Sequence, residues 1–152
     1  MQIQEAKEEQ LYAIARLAVQ TQEAHVKAYP ERYQVITFSD AFDALRAQLG
    51  GHRILVATDA GAVLGYLIVE YIDVKGNKFL KPRRYCYLQQ IGVAASNRKT
   101  GVGRKLIEHL RTVCTSQGVQ DIELDVWAFN TSAAQFFTAC GFQAYATKMR
   151  LR

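Results

Sequence analysis

The stretch from Tyr87 to Gly103, YLQQIGVAASNRKTGVG, constrains the fold more than any other part of the chain. Its apolar first half predicts a β-strand that ends at Val93, and apolar side chains recur at helical spacing from Gly101 onward. A second strand is predicted from Asp121 to Trp127, where apolar residues alternate with polar ones. Two strands joined through a helix need a crossover connection, so we expect them to be parallel neighbours in one sheet.

The remaining sequence predicts further strands and helices around this unit. The complete set comprises strands at Ile3–Ala6, His52–Thr58, Ala62–Ile72, Arg84–Val93 and Asp121–Trp127, helices at Glu8–Ala24, Asp40–Leu49, Gly101–Ser116 and Asn130–Cys140, and a last strand or pair of strands within Phe142–Leu151. Strands that alternate with helices in this way indicate an α/β chain with a mixed sheet.

The composition of the chain indicates how many domains it forms and in which cellular compartment we expect it. The chain has 152 residues, of which 49% are hydrophobic, and we expect one domain spanning residues 1–152. We find neither a signal sequence nor an apolar run of about 18 residues, which argues against export and against a membrane partner. The three cysteines (Cys86, Cys114 and Cys140) are widely spaced and predict no disulfide framework and no metal site, so we expect a reducing, cytoplasmic setting.

Charge is distributed unevenly along the chain. Residues 1–76 carry a balance of −3, and residues 77–152 carry +8. A basic half suits a polyphosphate ligand, and it also suits a nucleic acid. Charge alone leaves both partners open.

The loop from Arg98 to Gly103 has the residues of an anion site. Two glycines permit close approach of the backbone, and the first N–H groups of a helix lack partners within the helix. A Walker-type loop needs Ser or Thr after its Gly-Lys, but Gly103 is followed by Arg104 and Lys105. A dinucleotide fingerprint needs a third glycine where this chain has Leu106.

A second motif follows about thirty residues later and helps to decide which kind of nucleotide-binding loop this is. It consists of Asn130, Ala133, the pair Phe136-Phe137 and Gly141-Phe142. With both motifs in this order, the chain resembles the GNAT superfamily of acetyl-CoA-dependent N-acetyltransferases. The resemblance implies an acyl-CoA N-acyltransferase fold, in which a single mixed, mostly antiparallel sheet with a central, splayed parallel pair of strands is flanked by about four helices.

The resemblance also implies acetyl-CoA as cosubstrate and assigns residues to it. The pantetheine arm would pair with the backbone near Ile91 and Val93, and the pyrophosphate would lie on the glycine loop. The implied cofactor-binding residues are Ile91, Gly92, Val93, Arg98, Lys99, Thr100, Gly101, Val102, Gly103, Asn130, Ala133 and Phe137. A plain helix N-cap is the alternative role for Asn130, and both roles can hold together.

Direct attack of an amine on the thioester is the implied reaction, with a main-chain N–H near Ile91 to Val93 binding the oxyanion. The family's usual acid is not matched, since Phe137 stands where many members have tyrosine. Its usual base is not matched either, because the strand that carries a glutamate in many members has no carboxylate here. The catalytic residues therefore stay open, with Tyr87, Gln90 and Tyr145 as candidates. Candidates for holding the acceptor amine are His25, Tyr29, Glu70 and Asp125.

Three readings of the function remain open at this point. The first is an N-acetyltransferase that acts on an amine of a small molecule, a peptide or a protein. The second is an acyl-CoA-binding module with impaired catalysis, and the third is a basic domain associated with nucleic acid or the ribosome. A homodimer is compatible with each of them.

Overall fold

The computed structural model describes residues 1–152 and contains one five-stranded sheet with four α-helices. In chain order, the elements are β1 (Gln2–Glu5), α1 (Leu11–Ala28), α2 (Phe38–Ala47), β2 (Ile54–Asp59), β3 (Ala62–Val74), β4 (Arg83–Val93), α3 (Val102–Ser116), β5 (Ile122–Glu123) and α4 (Thr131–Ala139). Short 3₁₀ turns precede α1 and follow β4. The strands lie in the order β1-β2-β3-β4-β5, and only β4 and β5 are parallel. The predicted mixed, mostly antiparallel sheet is confirmed.

Alternation along β3 gives the sheet one apolar core on each face. Leu67 and Val69 belong to the core beneath α3, and Tyr66 and Ile68 belong to the core beneath α1 and α2. Burial of each such side chain contributes roughly 1.5–3 kcal/mol. The two cores hold α1 and α3 against opposite faces of the strands that form the site.

The parallel pair separates soon after it forms. β5 pairs with β4 only through Cys86–Ile122 and Tyr87–Glu123. Directly beyond these pairs the register between β3 and β4 shifts, because Ile68 faces Gln90 whereas Val69 faces Leu88. Gln89 is thus the extra residue of a β-bulge, a feature that bends a strand and increases its twist. From Leu88 to Val93, β4 therefore has a strand partner on one edge only.

Several predicted boundaries change. α2 begins at Phe38 because Thr37, and not Asp40, is its N-cap. The Thr37 hydroxyl accepts from the Asp40 N–H at 3.1 Å, and the Asp40 carboxylate accepts from the Thr37 N–H at 2.9 Å. This reciprocal pair is a capping box, which places the acidic residue at the third helical position.

The strand predicted within Phe142–Leu151 is wrong, and the strand predicted over Asp121–Trp127 is limited to Ile122–Glu123. After Phe142 the chain makes no backbone hydrogen bonds. A strand needs a neighbour for its N–H and C=O groups. Pairing with β4 ends at Tyr87, so β5 ends at Glu123, and no later segment is hydrogen-bonded to the outer edge of β5. The parallel pair consequently lies at one end of the five-stranded sheet. No helix combines the length and the apolar composition needed to cross a bilayer.

Candidate functional site

A cleft of about 430 Å³ opens where β4 and β5 diverge. Its walls are formed by the second half of α1 with Tyr33 beyond it, by the end of β4 with Arg98 in the following loop, and by the connection from β5 into the start of α4. The lining residues are Gln20, Thr21, Ala24, His25, Ala28, Tyr33, Ile91, Gly92, Val93, Arg98, Trp127, Phe129, Asn130, Thr131 and Ser132. The divergence of the strands thus exposes the free edge of β4 inside a cleft.

Five of the residues predicted to bind the cofactor line this cleft: Ile91, Gly92, Val93, Arg98 and Asn130. The Arg98 Nε donates to the Val93 carbonyl at 3.4 Å, which brings the guanidinium back toward the end of β4. The other seven, which are residues 99–103, Ala133 and Phe137, lie outside the lining. The Phe137 ring packs instead against the rings of Phe136 and Phe142, with centroids 5.1 and 5.6 Å away.

The predicted anion loop leads directly into α3. Lys99 and Gly101 have left-handed backbone, with φ of 62° and 89°. The Thr100 hydroxyl donates to the Asn97 carbonyl at 2.6 Å. The first backbone hydrogen bond at the start of α3 runs from the Lys105 N–H to the Gly101 carbonyl, so the three preceding N–H groups, at residues 102–104, have no backbone acceptor.

The two glycines of this loop have different surroundings. A Cβ built on Gly101 would meet nothing within 4 Å, and one built on Gly103 would lie 3.0 Å from Cζ of Phe136. Gly103 therefore permits the contact between α3 and α4. A side chain introduced at Gly103 would disturb this contact, so its effect on ligand binding could not be separated from an effect on packing.

Asn130 caps α4. Its side-chain oxygen accepts from the Ala133 N–H at 3.1 Å, while the residue also lines the cleft. Its position is therefore compatible with both the structural and the ligand-binding roles considered above.

We expect Asn130→Ala to lower the free energy of unfolding by about 1 kcal/mol, since one N–H of α4 loses its acceptor. Asn130→Ser should preserve the cap while removing the amide. Thermal unfolding and acetyl-CoA titration of both variants separate the two roles. A serine variant that binds as tightly as the unaltered chain would leave Asn130 as a helix cap only.

Tyr66 is the largest fully buried side chain, and it lies against Gly92 and forms a hydrogen bond with Gln90. A Cβ on Gly92 would lie 2.5 Å from Cε1 of Tyr66 and 2.9 Å from Oγ1 of Thr21. The Tyr66 hydroxyl donates to Oε1 of Gln90 at 3.0 Å. The candidate Gln90 thus holds a buried tyrosine directly beneath the floor of the cleft.

Tyr87 and Asp125 come together on the same face of the sheet as α1. The Tyr87 hydroxyl donates to Oδ2 of Asp125 at 2.8 Å. Burial, together with the Asp125 carboxylate, raises the pKa of Tyr87 to about 12. Tyr33 is an electrostatic neighbour of Tyr87 and also lines the cleft. The sequence predicted Tyr87 as a catalytic residue and Asp125 as a residue that holds the acceptor amine, and in the structure the two side chains share a hydrogen bond.

We expect the phenol of Tyr87 to titrate near pH 12 in the folded chain, against about 10 when unfolded. Because the folded pKa is the higher one, this group contributes stability that is fully present below about pH 10 and is lost as pH rises toward 12. Tyrosinate absorbance of the unaltered chain minus that of Tyr87→Phe isolates the group. A difference curve centred near 10 would contradict the environment described here.

Aromatic rings surround the mouth of the cleft. The ring of Tyr29 lies 4.9 Å from that of Trp127 and 6.0 Å from that of Phe129. The Trp127 Nε1 donates to the Tyr33 hydroxyl at 2.6 Å, and His25 stacks on Tyr33 at 5.0 Å. Burial lowers the pKa of His25, which favours the neutral imidazole. Candidates His25 and Tyr29 are thus part of one aromatic cluster.

Sequence reasoning missed Tyr33, Trp127 and Phe129 as site residues. One signal was available, because Trp127 is the last residue of a predicted parallel strand and Phe129 follows shortly after it, and ligands bind beyond the carboxyl ends of such strands. Of the candidates for catalysis and for holding the acceptor, His25 lines the cleft, whereas Tyr29, Tyr87, Gln90, Asp125, Glu70 and Tyr145 lie outside the lining. Glu70 accepts from Nε2 of Gln89 at 3.1 Å, and Tyr145 is 75% exposed beside Glu123. No group of three His, Cys, Asp or Glu side chains is placed to hold a metal ion.

Comparisons with known proteins agree with this geometry. The family model described as "Acetyltransferase (GNAT) family" matches residues 18–142. N-alpha-acetyltransferase 50 of Danio rerio is 35% identical over 63 residues, which are 41% of this chain and 38% of the relative. The match therefore spans well under half the length of that curated relative.

Solved structures reproduce the fold over the whole chain. A tetramutant of the BH1408 protein from Bacillus halodurans superposes with a TM-score of 0.91 at 26% identity, covering 100% of this chain and 99% of that one. The aminoglycoside 6'-N-acetyltransferase AAC(6')-IG of Acinetobacter haemolyticus gives 0.73 at 17% identity, covering 100% and 97%, and shares the fold alone. With the family model spanning most of the sequence, this chain belongs to the GNAT acetyltransferase family.

Proposed function

We propose that this chain is an acetyl-CoA-dependent N-acetyltransferase that modifies the α-amine at the N-terminus of a peptide or protein. The observation that supports this most is the cleft between the free edge of β4 and the aromatic cluster, with the Tyr87–Asp125 pair on the same face of the sheet as α1. The N-alpha-acetyltransferase of Danio rerio supports the class of acceptor.

The residues at one end of the cleft fit a long, anionic thioester. The edge of β4 from Leu88 to Val93 has unpartnered backbone groups, which an extended pantetheine arm can use as a strand would. The N–H groups of residues 102–104 have no backbone acceptor, and open space surrounds Gly101. Arg98 and Lys99 add positive charge, so a pyrophosphate fits here.

At the other end, the aromatic cluster suits an incoming peptide amine, and Asp125 lies outside the cleft lining, where it accepts the hydrogen bond of Tyr87. Aromatic faces attract an ammonium group. Trp127 and Phe129, which are 38% and 52% exposed, can also cover the first side chain of a peptide. We assign His25 and Tyr29 to this acceptor side.

Bound acetyl-CoA would supply the thioester: attack by the neutral amine nitrogen forms the amide and breaks the carbon–sulfur bond, so that CoA leaves as the thiolate and takes its proton from solvent. Main-chain N–H groups from Ile91 to Val93 stabilise the negative charge that develops on the carbonyl oxygen. The Tyr87 oxygen accepts the proton that leaves the amine, while the Tyr87 hydroxyl proton passes to Asp125, its acceptor at 2.8 Å. Asp125 is thus the final proton acceptor within the chain.

The first test is calorimetric titration with acetyl-CoA, ATP and NAD in turn. We expect acetyl-CoA alone to bind at micromolar strength and Arg98→Ala to weaken it. Arg111→Ala is the matched control, since Arg111 is an exposed cation on α3, away from the glycine loop and the cleft lining. Equal binding of all three ligands would reduce the loop to a general anion site.

The second test follows thiol release with peptides that carry a free N-terminus. The same peptides with a blocked N-terminus, lysine side-chain amines and an aminoglycoside serve as competing acceptors. Turnover that requires a free peptide N-terminus supports the proposed acceptor. Acetyl-CoA binding without turnover of any amine would favour a module with impaired catalysis. Salt-dependent RNA or DNA binding without acetyl-CoA binding would favour a nucleic-acid domain.

A further inference from the structure

The β3–β4 hairpin reaches beyond the rest of the sheet. β2 pairs with β3 no further than Ile68, and β5 pairs with β4 at two positions only. The end of the hairpin beyond these pairs therefore has no third strand beside it. Its connecting loop, residues 75–82 and here called the basic tip, lies at the opposite end of β4 from Val93, which lines the cleft. The basic tip is thus a surface separate from the cleft.

The basic tip exposes two adjacent apolar side chains. Phe79 is 93% exposed and Leu80 is 64% exposed, and neither belongs to one of the two apolar cores. Single exposed apolar residues are ordinary on a protein surface. A neighbouring pair at the end of a projecting hairpin indicates contact with another surface.

Hydrogen bonds within the turn satisfy the backbone around this pair. Oδ1 of Asn77 accepts from the N–H groups of Phe79 and Leu80 at 2.7 and 2.9 Å, and the Asn77 N–H donates to the Leu80 carbonyl at 2.8 Å. Gly76 turns the chain with φ of 75°, and a Cβ there would lie 2.6 Å from the Leu80 carbonyl oxygen. The apolar pair can thus leave water with these backbone groups already bonded, as an apolar environment requires.

Three lysines flank the apolar pair, and none of them forms an ion pair. Lys75, Lys78 and Lys81 are exposed, and no carboxylate lies within 4.0 Å of their amino groups. Asp73 and Glu123, at the base of the hairpin, pair with arginines instead. The basic tip therefore presents positive charges without an ionic partner around its two apolar side chains.

We propose that the basic tip binds the surface of a bilayer that contains anionic lipids. Phe79 and Leu80 enter the interfacial region and leave water, while the three lysines stay at the level of the lipid phosphate groups. The sequence argues against a membrane partner because it lacks a long apolar run, but such a run is needed only to cross a bilayer and not to bind its surface.

A nucleic acid is the other anionic partner that a basic loop can bind, and the basic tip suits it less well. A base stacks on an aromatic ring, so Phe79 has a use there and the aliphatic Leu80 has none. Asn77 has an amide that could read a base edge, but its oxygen is already bonded within the turn. A bilayer uses both apolar side chains, so the effect of Leu80 on binding separates the two partners.

The test is co-sedimentation with vesicles of phosphatidylcholine alone and of equal parts phosphatidylcholine and phosphatidylglycerol. We expect binding to the mixed vesicles only, and we expect added salt to weaken it. Phe79→Ala and Leu80→Ala should each weaken binding by roughly tenfold or more, since each removes one apolar side chain from the contact. The triple variant Lys75→Ala/Lys78→Ala/Lys81→Ala should weaken it by roughly a hundredfold.

Two control variants make the same kinds of change elsewhere. Val35→Ala shortens an apolar side chain that is 75% exposed outside the hairpin. Lys7→Ala/Lys27→Ala/Lys148→Ala removes the same charge from exposed positions outside the basic tip. Both should bind the mixed vesicles much as the unaltered chain does. Every variant should keep its melting temperature and its affinity for acetyl-CoA, so the result does not depend on the proposed acetyl transfer.

Insertion is measured separately with Phe79→Trp. Trp127 is the one tryptophan of the unaltered chain, so its emission can be subtracted. We expect the added indole to shift to the blue on the mixed vesicles, because it enters a less polar region. Bound protein with unshifted emission would overturn the proposal, as would a lack of binding to the mixed vesicles at low salt. Tighter binding of single-stranded RNA that Leu80→Ala leaves unchanged would also overturn it and assign the basic tip to a nucleic acid.

Discussion

Asp125→Asn should lower kcat/KM for acetyl transfer by about 10²- to 10³-fold, because an amide keeps the shape of the carboxylate but cannot accept a proton. The Tyr87 hydroxyl now donates to this carboxylate at 2.8 Å, and an asparagine oxygen could still accept that hydrogen bond. We therefore expect a similar melting temperature and unchanged acetyl-CoA binding. Steady-state thiol release with the best peptide acceptor measures the effect.

Tyr87→Phe and the double variant complete this experiment. If the two residues act as one relay, the double variant should be little slower than either single one, since each already interrupts the same proton path. Asp43→Asn is the matched control, because it makes the same change at an exposed carboxylate on α2. If the Asp125→Asn variant keeps an activity within a few fold of the unaltered chain, Tyr87 and Asp125 do not act as a proton relay.

His25 offers a competing proton path that the same assay can exclude. Its pKa is lowered by burial, so its imidazole is neutral near pH 7 and able to accept a proton. If His25→Gln abolishes turnover while Asp125→Asn does not, His25 is the base. Our assignment predicts that His25→Gln changes KM for the acceptor more than kcat, since we place His25 in the acceptor wall.

Gly92→Ala should destabilise the fold by about 1–3 kcal/mol, although alanine normally suits a strand better than glycine. The reason is steric, because the new Cβ would lie 2.5 Å from Cε1 of the fully buried Tyr66. The ring cannot withdraw without losing its hydrogen bond to Gln90 or the packing around it. Gly92→Val should cost more. Chemical denaturation at constant pH measures both.

A double-mutant cycle with Tyr66→Leu checks the cause. The smaller side chain should relieve part of the overlap, so Gly92→Ala should cost less in that background than in the unaltered chain. Equal costs in both backgrounds would mean that Tyr66 is not the obstacle. Because Gly92 also lines the cleft, acetyl-CoA binding by Gly92→Ala should weaken along with stability.

The strands, loops and helices that depend on residues close together in the sequence were predicted well. The strand that ends at Val93 and the helix after Gly101 follow from the spacing of apolar residues, and the loop between them follows from its glycines. Each of these signals is contained in a short stretch of sequence. The parallel pairing of β4 with β5 also followed, because a helical crossover leaves little alternative. The last strand was predicted from equally clear alternation, yet alternation shows only which face a strand would bury. It does not show whether a partner is present.

The sequence by itself determined the family, through the loop Arg98–Gly103 and the motif beginning at Asn130, and it determined the order of strands and helices along the chain as far as α4. Only the tertiary structure decided that Tyr87 and Asp125, 38 residues apart, share a hydrogen bond, and that the bulge at Gln89 accompanies the opening of the cleft. It also decided that Gly92 must be glycine because Tyr66 lies beneath it. Local spacing fixes periodicity and turns, whereas strand register and packing fix the distances between residues remote in the chain.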